Sequence, residues 1–108
     1  MVHVVAYITA VAGKRSELLA AFADNVPLVL AEDGCIEYGA AVDADGLGSA
    51  QAPVGPDTFV VLEKWASVDA LKAHARAPHM AAYAAKAKPL TAARTLHVFA
   101  PVDAGSTA

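Results

Sequence analysis

The sequence predicts an α+β fold in a single domain. Its 108 residues lie within the usual size of one domain and leave no room for a second. Four stretches carry the β-branched and aromatic residues typical of strands, and two stretches between them have apolar residues at the spacing of helices. Along the chain the order of these stretches is strand, helix, strand, strand, helix, strand.

The first strand and the first helix follow from composition and spacing. Val2 to Ala10 is rich in β-branched and aromatic residues, which predicts a strand. From Lys14 to about Ala31, apolar residues recur every three or four positions, so one face of a helix is buried there. Pro27 lies inside this pattern and predicts a kink or a break near Asn25, because proline removes a helical hydrogen bond.

The second and third strands frame a long connection. Asp33-Gly34 predicts the end of the helix, and Cys35 to Asp43 predicts the next strand. Residues 44–57 contain glycines and prolines, and their apolar residues follow neither the strand period nor the helix period. This pattern predicts a long hairpin loop that forms a flap, an interface arm or a disordered segment. Thr58 to Trp65 predicts the third strand.

The last part of the chain predicts the second helical region and the fourth strand. Ser67 is a good N-cap for a helix that ends at Pro78, and a second helical piece runs from Pro78 to about Lys86. Arg94 to Val102 predicts the final strand. This order gives the ferredoxin-like βαββαβ arrangement, a four-stranded antiparallel sheet with its helices on one face. Since the other face is left bare, we expect a second copy to cover it in a homodimer.

Charge and cysteine content exclude several classes of protein. The net charge is −3 and the eight basic residues are scattered, so no basic patch suits a nucleic acid. The single cysteine, Cys35, allows no internal disulfide and no CxxC pair, which favours a reducing, cytoplasmic location. Met1 to Ala12 is too short to span a membrane. Residues 103–108 are small and polar, and we expect a flexible tail after a domain of residues 1–102.

Most of the protonatable and aromatic side chains lie within about twenty residues of one another. Glu63 and Trp65 are two positions apart in a strand, so their side chains point to the same face. Burying a carboxylate without a partner is costly. Glu63 therefore reaches solvent, pairs with a donor such as His74, or has a raised pKa inside a cavity.

The motifs of this chain resemble the antibiotic biosynthesis monooxygenase family, and in particular its small quinol-monooxygenase-like members in the dimeric α+β barrel superfamily. The resemblance covers roughly Val2 to Val102. It depends on the order and spacing of several short motifs, which are Glu32-Asp33-Gly34-Cys35-Ile36-Glu37-Tyr38, the Glu-x-Trp of Glu63 and Trp65, Ser67-Val68-Asp69-Ala70-Leu71 leading to His74, and Pro78-His79-Met80.

The resemblance implies a chemistry as well as a fold. Characterised members of the family oxidise quinols or polycyclic phenolic anthrones with O2 and need no flavin, haem or metal. By analogy, Glu63 and His74 are the catalytic base and its partner. Trp65 forms a wall of the substrate pocket and Tyr83 donates a hydrogen bond to a substrate oxygen. Two further candidate substrate contacts are His79 and Tyr7.

Plainer interpretations of the same residues stay open. Glu63 is alternatively an exposed strand residue, His74 a helix-surface or helix-capping residue, and His79 one half of a structural pair with Tyr83. Cys35 is expected to be a small buried apolar residue. A metal site formed by His74, His79 and Glu63 lacks a recognisable motif.

Two other functions compete with oxygenation. A glutamate and a histidine in an apolar pocket also suit an isomerase or proton-transfer enzyme that acts on a small carbonyl compound. A non-catalytic dimeric protein that binds a small molecule is the third hypothesis, because a fold does not fix a function. Haem degradation, known among relatives of this family, is disfavoured because His74 stands where those enzymes carry Trp and Tyr7 where they carry Asn.

Overall fold

The fold is the predicted ferredoxin-like arrangement. A computed structural model describes residues 1–102, so the tail predicted at 103–108 lies outside the described residues. The elements are β1 (Val2–Ala10), α1 (Arg15–Leu30), β2 (Cys35–Ala41), β3 (Thr58–Trp65), α2 (Val68–Ala75), α3 (Pro78–Ala87) and β4 (Thr91–Phe99), with short 3₁₀ turns at Gly48–Ala50 and Lys88–Leu90. Within residues 1–102, no helix has the length and apolar character needed to cross a membrane.

The four strands form one antiparallel sheet in the order β2-β3-β1-β4. In the register of the two central strands, Val4 pairs with Glu63 and Ala6 with Val61. Two residues that pair across neighbouring strands point to the same face of the sheet. The face that carries Val4 and Glu63 holds the buried alternate residues of β1 and β3, which pack against the helices. The core therefore lies on one side of the sheet, and Glu63 projects into that side.

Helix α1 runs without interruption from Arg15 to Leu30, with Pro27 inside its last turn. The predicted break near Asn25 is therefore absent. Phe22 and Val29 are buried on the two sides of the proline, and their packing against the sheet holds the helix together where one hydrogen bond is missing.

Three strand boundaries differ from the predicted ones. β2 ends at Ala41, two residues early, and β4 runs from Thr91 to Phe99, so that it begins three residues before Arg94 and ends three residues before Val102. The start of β4 is set by pairing of Thr91 with Ala10, after an irregularity in the register between Thr9 and Ala10. This contact joins residues that are far apart in sequence, so local composition does not reveal it.

The loop of residues 42–57 is pinned at both ends by side chains. The Asp43 carboxylate accepts hydrogen bonds from the backbone N–H groups of Val54 (2.9 Å) and Gly55 (3.0 Å), which lower the pKa of Asp43. Asp57 accepts one from the N–H of Gly13 at 3.0 Å. These bonds give the loop a defined path, and none of its residues lines the cavity described below.

Gly34 brings the end of the first helix close to the start of the second. Its φ of +82° is in the left-handed region, and its carbonyl accepts a hydrogen bond from the N–H of Ala66 at 2.8 Å. A Cβ at this position would lie 2.6 Å from the Cβ of Ala70. The absence of a side chain therefore allows α2 to approach the turn that carries Glu32.

The face of the sheet away from the helices is uncovered. It presents Tyr7, Leu62 and Phe99, which are 42%, 40% and 52% exposed. On β4 the helix-facing side is also open, because Leu96 and Val98 are exposed there. A single copy of residues 1–102 thus leaves a substantial apolar surface in contact with water.

Candidate active site

A cavity of about 680 Å³ lies between the helix-facing side of the sheet and helices α2 and α3. Its walls are mainly apolar and include Ala6, Ile8, Phe22 and Val61. The polar and charged side chains of the wall are Tyr38, Glu63, His74, Arg76, Tyr83, Lys88, Thr91 and Arg94. An apolar cavity with a few polar groups is the usual form of a small-molecule site.

Glu63 is a buried carboxylate in the wall of this cavity. It is 9% exposed, and its Oε1 accepts a hydrogen bond from Trp65 Nε1 at 2.8 Å. The shared face of these two residues was predicted from their spacing and is confirmed. Burial raises the pKa of Glu63, while the Trp65 hydrogen bond and the nearby charges of His74 and Arg94 oppose the rise. A carboxyl group in this state is suited to exchange a proton.

His74 faces Glu63 from helix α2. The helix begins at the predicted N-cap, where Ser67 Oγ accepts a hydrogen bond from the N–H of Ala70 at 3.1 Å. His74 is 5% exposed, and its Nε2 lies 4.0 Å from Glu63 Oε1. Its burial therefore excludes the interpretation of His74 as a helix-surface residue. His74 lies in the last turn of α2, but its ring bonds the Glu32 carboxylate.

Glu32 fixes the orientation of the His74 ring. Its Oε2 lies 2.8 Å from His74 Nδ1 and also 2.8 Å from His79 Nε2. An ionised carboxylate only accepts hydrogen bonds, so both ring nitrogens donate to it. In neutral His74 this leaves Nε2, the atom nearest Glu63, as the acceptor. Glu32 was not among the predicted site residues, because it is 42 positions from His74 in sequence.

Two tyrosines provide hydroxyl groups at the cavity. Tyr38 pairs with Glu63 across β2 and β3, stacks on Phe22 at 5.1 Å, and meets the His74 ring edge-on at 5.6 Å. Tyr83 comes from α3 and packs edge-on against Phe22. Burial raises the pKa of both tyrosines, so both stay protonated at neutral pH and can donate a hydrogen bond. Tyr38 belongs to one of the motifs that indicate the family, but it was not among the predicted site residues.

The structure brings only some of the predicted residues to the cavity. Glu63, His74 and Tyr83 line it. Trp65 is fully buried behind Glu63 and is a hydrogen-bond donor to that residue, not a wall of the cavity. His79 reaches Glu32 instead of the cavity.

The position of Tyr7 also differs from the sequence interpretation. Tyr7 lies on the opposite face of the sheet, because it pairs with Val60 while Ala6 and Ile8 line the cavity. Within the part of the chain described here, no three His, Cys, Asp or Glu side chains are grouped so as to hold a metal ion.

Comparison with known proteins finds relatives of this chain in one family. The model of the family described as antibiotic biosynthesis monooxygenase matches residues 1–86. The chain is 42% identical over 74 residues to the probable quinol monooxygenase YgiN of Escherichia coli K12. The aligned segment covers 68% of this chain and 70% of that protein.

Solved structures share the fold over nearly the whole chain. Rv0793 from Mycobacterium tuberculosis is 30% identical, with a TM-score of 0.76, over 94% of this chain and 95% of that one. A putative antibiotic biosynthesis monooxygenase from Nitrosomonas europaea has a TM-score of 0.79 over 94% of this chain and 99% of that one, but at 17% identity it supports the fold alone. By its sequence match, the chain belongs to the antibiotic biosynthesis monooxygenase family.

Proposed function

We propose that this protein is a cofactor-independent monooxygenase that oxidises a quinol or a related polycyclic phenol with O2. The observation that carries the proposal is the buried Glu63 carboxylate in an apolar cavity, with His74 Nε2 4.0 Å away. The similarity to a probable quinol monooxygenase supports the same class of reaction. The lone Cys35 fits a reducing cytoplasm, which we include in the proposal.

The first step is removal of a proton from the substrate. The phenol enters the cavity with its hydroxyl group at Glu63, which accepts the proton as a general base. Because burial raises the pKa of Glu63, the protonated carboxyl is tolerated in this position. His74 can then take the proton through Nε2, and the Glu32 carboxylate stabilises the imidazolium that results. Tyr38 or Tyr83 donates a hydrogen bond to the substrate oxygen.

The second step transfers electrons from the substrate anion to O2. An electron-rich phenolate is a far better electron donor than the phenol, so deprotonation starts the reaction. The balance for a quinol is quinol plus O2 to hydroxyquinone plus water, in which one oxygen atom enters the ring and the other leaves as water. All electrons come from the substrate. The apolar walls of the cavity keep bulk water away from the reactive anion.

The direct test is oxygen uptake by the purified, metal-free protein with a panel of quinols and anthrones. We expect protein-dependent uptake above autoxidation, with one O2 consumed for each hydroxylated product. The product formed under 18O2 should contain one 18O atom, bonded to a ring carbon as the new hydroxyl group. Uptake equal to autoxidation for every compound in the panel would contradict the proposal.

Enolisation of a small carbonyl compound is the second candidate function. It is favoured by the same Glu63 and His74 pair together with the tyrosine hydroxyl groups, which could hold an enolate oxygen. Oxygen separates the two functions, because proton exchange at the carbon next to a carbonyl continues under nitrogen whereas oxygenation stops.

We also propose that the protein is a homodimer in which the open faces of two sheets pack together. The exposed side chains of Tyr7, Leu62 and Phe99 form the surface that a second copy would cover. In a two-fold arrangement the same face meets itself, and each copy covers the other.

Sizing chromatography with light scattering tests this proposal. We expect the mass of a dimer at micromolar concentration, and a shift toward monomer for Leu62→Asp, which puts a charge in the centre of the contact. Leu28→Asp is the control, since Leu28 is also exposed, at 53% against 40% for Leu62, but lies on α1, away from the open face. A wild-type monomer would refute the dimer.

A further inference from the structure

Three basic side chains line the cavity in a chain whose net charge is negative. Arg76, Lys88 and Arg94 all belong to its wall, and they are three of the eight Lys and Arg residues in the sequence. Each is exposed at the protein surface as well, so the three positions mark the side of the cavity that is open to solvent. Within residues 1–102, none of them forms an ion pair with an acidic side chain.

The strand register shows that Arg94 belongs to the cavity side of the sheet. Arg94 pairs with Ile8, whose side chain lines the cavity, and Leu96 two positions later lines it as well. The positive charge of Arg94 lowers the pKa of Glu63 and of both cavity tyrosines against the effect of burial. The guanidinium group therefore acts on the interior of the cavity.

Arg94 and Glu63 occupy different ends of the cavity. Glu63 pairs with Val4, and Arg94 pairs with Ile8 on the other side of β1. The four residue steps from Val4 to Ile8 offset the backbone positions of Glu63 and Arg94 by about 13 Å along the strand. Arg94 and Glu63 form no ion pair with each other, and the offset of their backbone positions allows a ring system to lie between the two side chains.

We propose that the cavity binds a hydroxyaromatic compound that carries a carboxylate, with the carboxylate on Arg94 and the phenolic hydroxyl at Glu63. The guanidinium group of Arg94 presents two parallel N–H donors that match a carboxylate. Arg76 and Lys88 add positive charge around the open side and attract the anion from solution. The placement of the hydroxyl group at Glu63 rests on the function proposed above, whereas the anion site rests on Arg94 alone.

Charge at both ends of the cavity would also fix the direction in which the compound enters. A carboxylate near Glu63 would be repelled, and the same group on Arg94 is attracted. A neutral ring of the same size has no such preference. Arg94 thus selects the substrate class and positions its reactive hydroxyl at the same time.

Calorimetric titration with a redox-inert pair of ligands tests the anion site without any turnover. The pair is 6-hydroxy-2-naphthoate and its methyl ester, which differ only in the negative charge and the methyl group. Both carry the hydroxyl group and the carboxyl group at opposite ends of the ring system. We expect the wild-type protein to bind the acid at least tenfold more tightly than the ester. Arg94→Gln should reduce this ratio of affinities to near one. Arg94→Lys should give an intermediate ratio, because lysine keeps the positive charge but lacks the two parallel N–H donors of the guanidinium group. Lys86→Gln removes a positive charge from α3 outside the cavity and should leave the ratio unchanged.

The outcomes separate the anion site from the proposed oxygenase activity. Equal binding of acid and ester by the wild type, failure of both to bind at millimolar concentration, or a preference that survives Arg94→Gln would each overturn the anion site. If the acid binds through Arg94 but 2,5-dihydroxybenzoate and the quinol panel give no oxygen uptake, the anion site stands and the oxygenase function fails. If neutral hydroquinones are oxygenated and the acid is not preferred, the function stands and the anion site fails.

Discussion

Glu63→Gln is expected to lower kcat/KM for oxygen uptake at least 100-fold without loss of the fold. Glutamine has nearly the same shape as glutamate, and its carbonyl oxygen can still accept the 2.8 Å hydrogen bond from Trp65 Nε1. It cannot take a proton from a phenol. Loss of a positioned general base costs about 10²-fold to 10⁴-fold in rate. The measurement is initial oxygen uptake against quinol concentration, together with urea unfolding of each variant.

The same variant should unfold less readily than the wild type at neutral pH and above. Burial raises the pKa of Glu63 in the folded protein above its value in the unfolded chain. The unfolded chain therefore loses its proton first as the pH rises, and the carboxyl group costs stability between the two pKa values and beyond. Glutamine avoids this cost. The gain in the free energy of unfolding should vanish below about pH 4, where glutamate is protonated in both states.

The pH dependence of the rate follows from the same carboxyl group. The base must be ionised, so kcat/KM should rise with pH through a pKa above the ordinary range of glutamate. Trp65→Phe removes the hydrogen bond that favours the ionised form, and we expect it to move this rise to higher pH. A rise that stays at the same pH would show that Glu63 is not the group that titrates.

Glu17→Gln is the matched control for the Glu63 substitution. Glu17 is an exposed glutamate of α1 in an ion pair of 3.2 Å with Lys14, away from both the cavity and the uncovered face of the sheet. It should retain nearly full activity and nearly full stability, because exposed ion pairs contribute little. If Glu63→Gln were as active as Glu17→Gln, the proposed base would be excluded.

Local patterns were sufficient for the existence and order of the four strands, though not for the ends of β2 and β4, and for one part of the site. The alternation that puts Glu63 and Trp65 on one face needs only the period of a strand, and the register confirms it. The same period separates Tyr7 from Ala6 and Ile8, but apolar residues occupy both faces of β1, so the sequence does not show which face is inside. The sequence therefore does not reveal that Tyr7 lies on the side of the sheet opposite the cavity.

The charged parts of the site depend on contacts between distant segments. Glu32 meets His74 and His79 only because Gly34 lets α2 approach the turn after α1. Arg94 reaches the cavity only through the pairing of β4 with β1. Neither contact has a local sequence signature, whereas His74 was recognisable from its helical spacing to Leu71.

His74→Ala should lower turnover about 100-fold and should also destabilise the fold. The substitution removes the group that takes the proton from Glu63, so the base stays protonated after the first proton transfer. It also removes a buried ring that contacts Trp65 at 4.6 Å and a hydrogen bond to Glu32. We expect a loss of about 2 kcal/mol in the free energy of unfolding. Rates are therefore compared at a temperature at which circular dichroism shows the variant to be folded.

Glu32→Gln separates the chemical role of His74 from its packing. Glutamine can still accept a hydrogen bond from His74 Nδ1, but it lacks the negative charge that stabilises the imidazolium. We expect kcat to fall about tenfold with little change in KM, since Glu32 does not line the cavity. His79→Gln is the matched control, because His79 contacts the same oxygen of Glu32 but lies outside the cavity wall, and it should keep most of the activity. Full activity of both His74→Ala and Glu32→Gln in the folded state would remove the histidine from the mechanism and leave Glu63 to act alone.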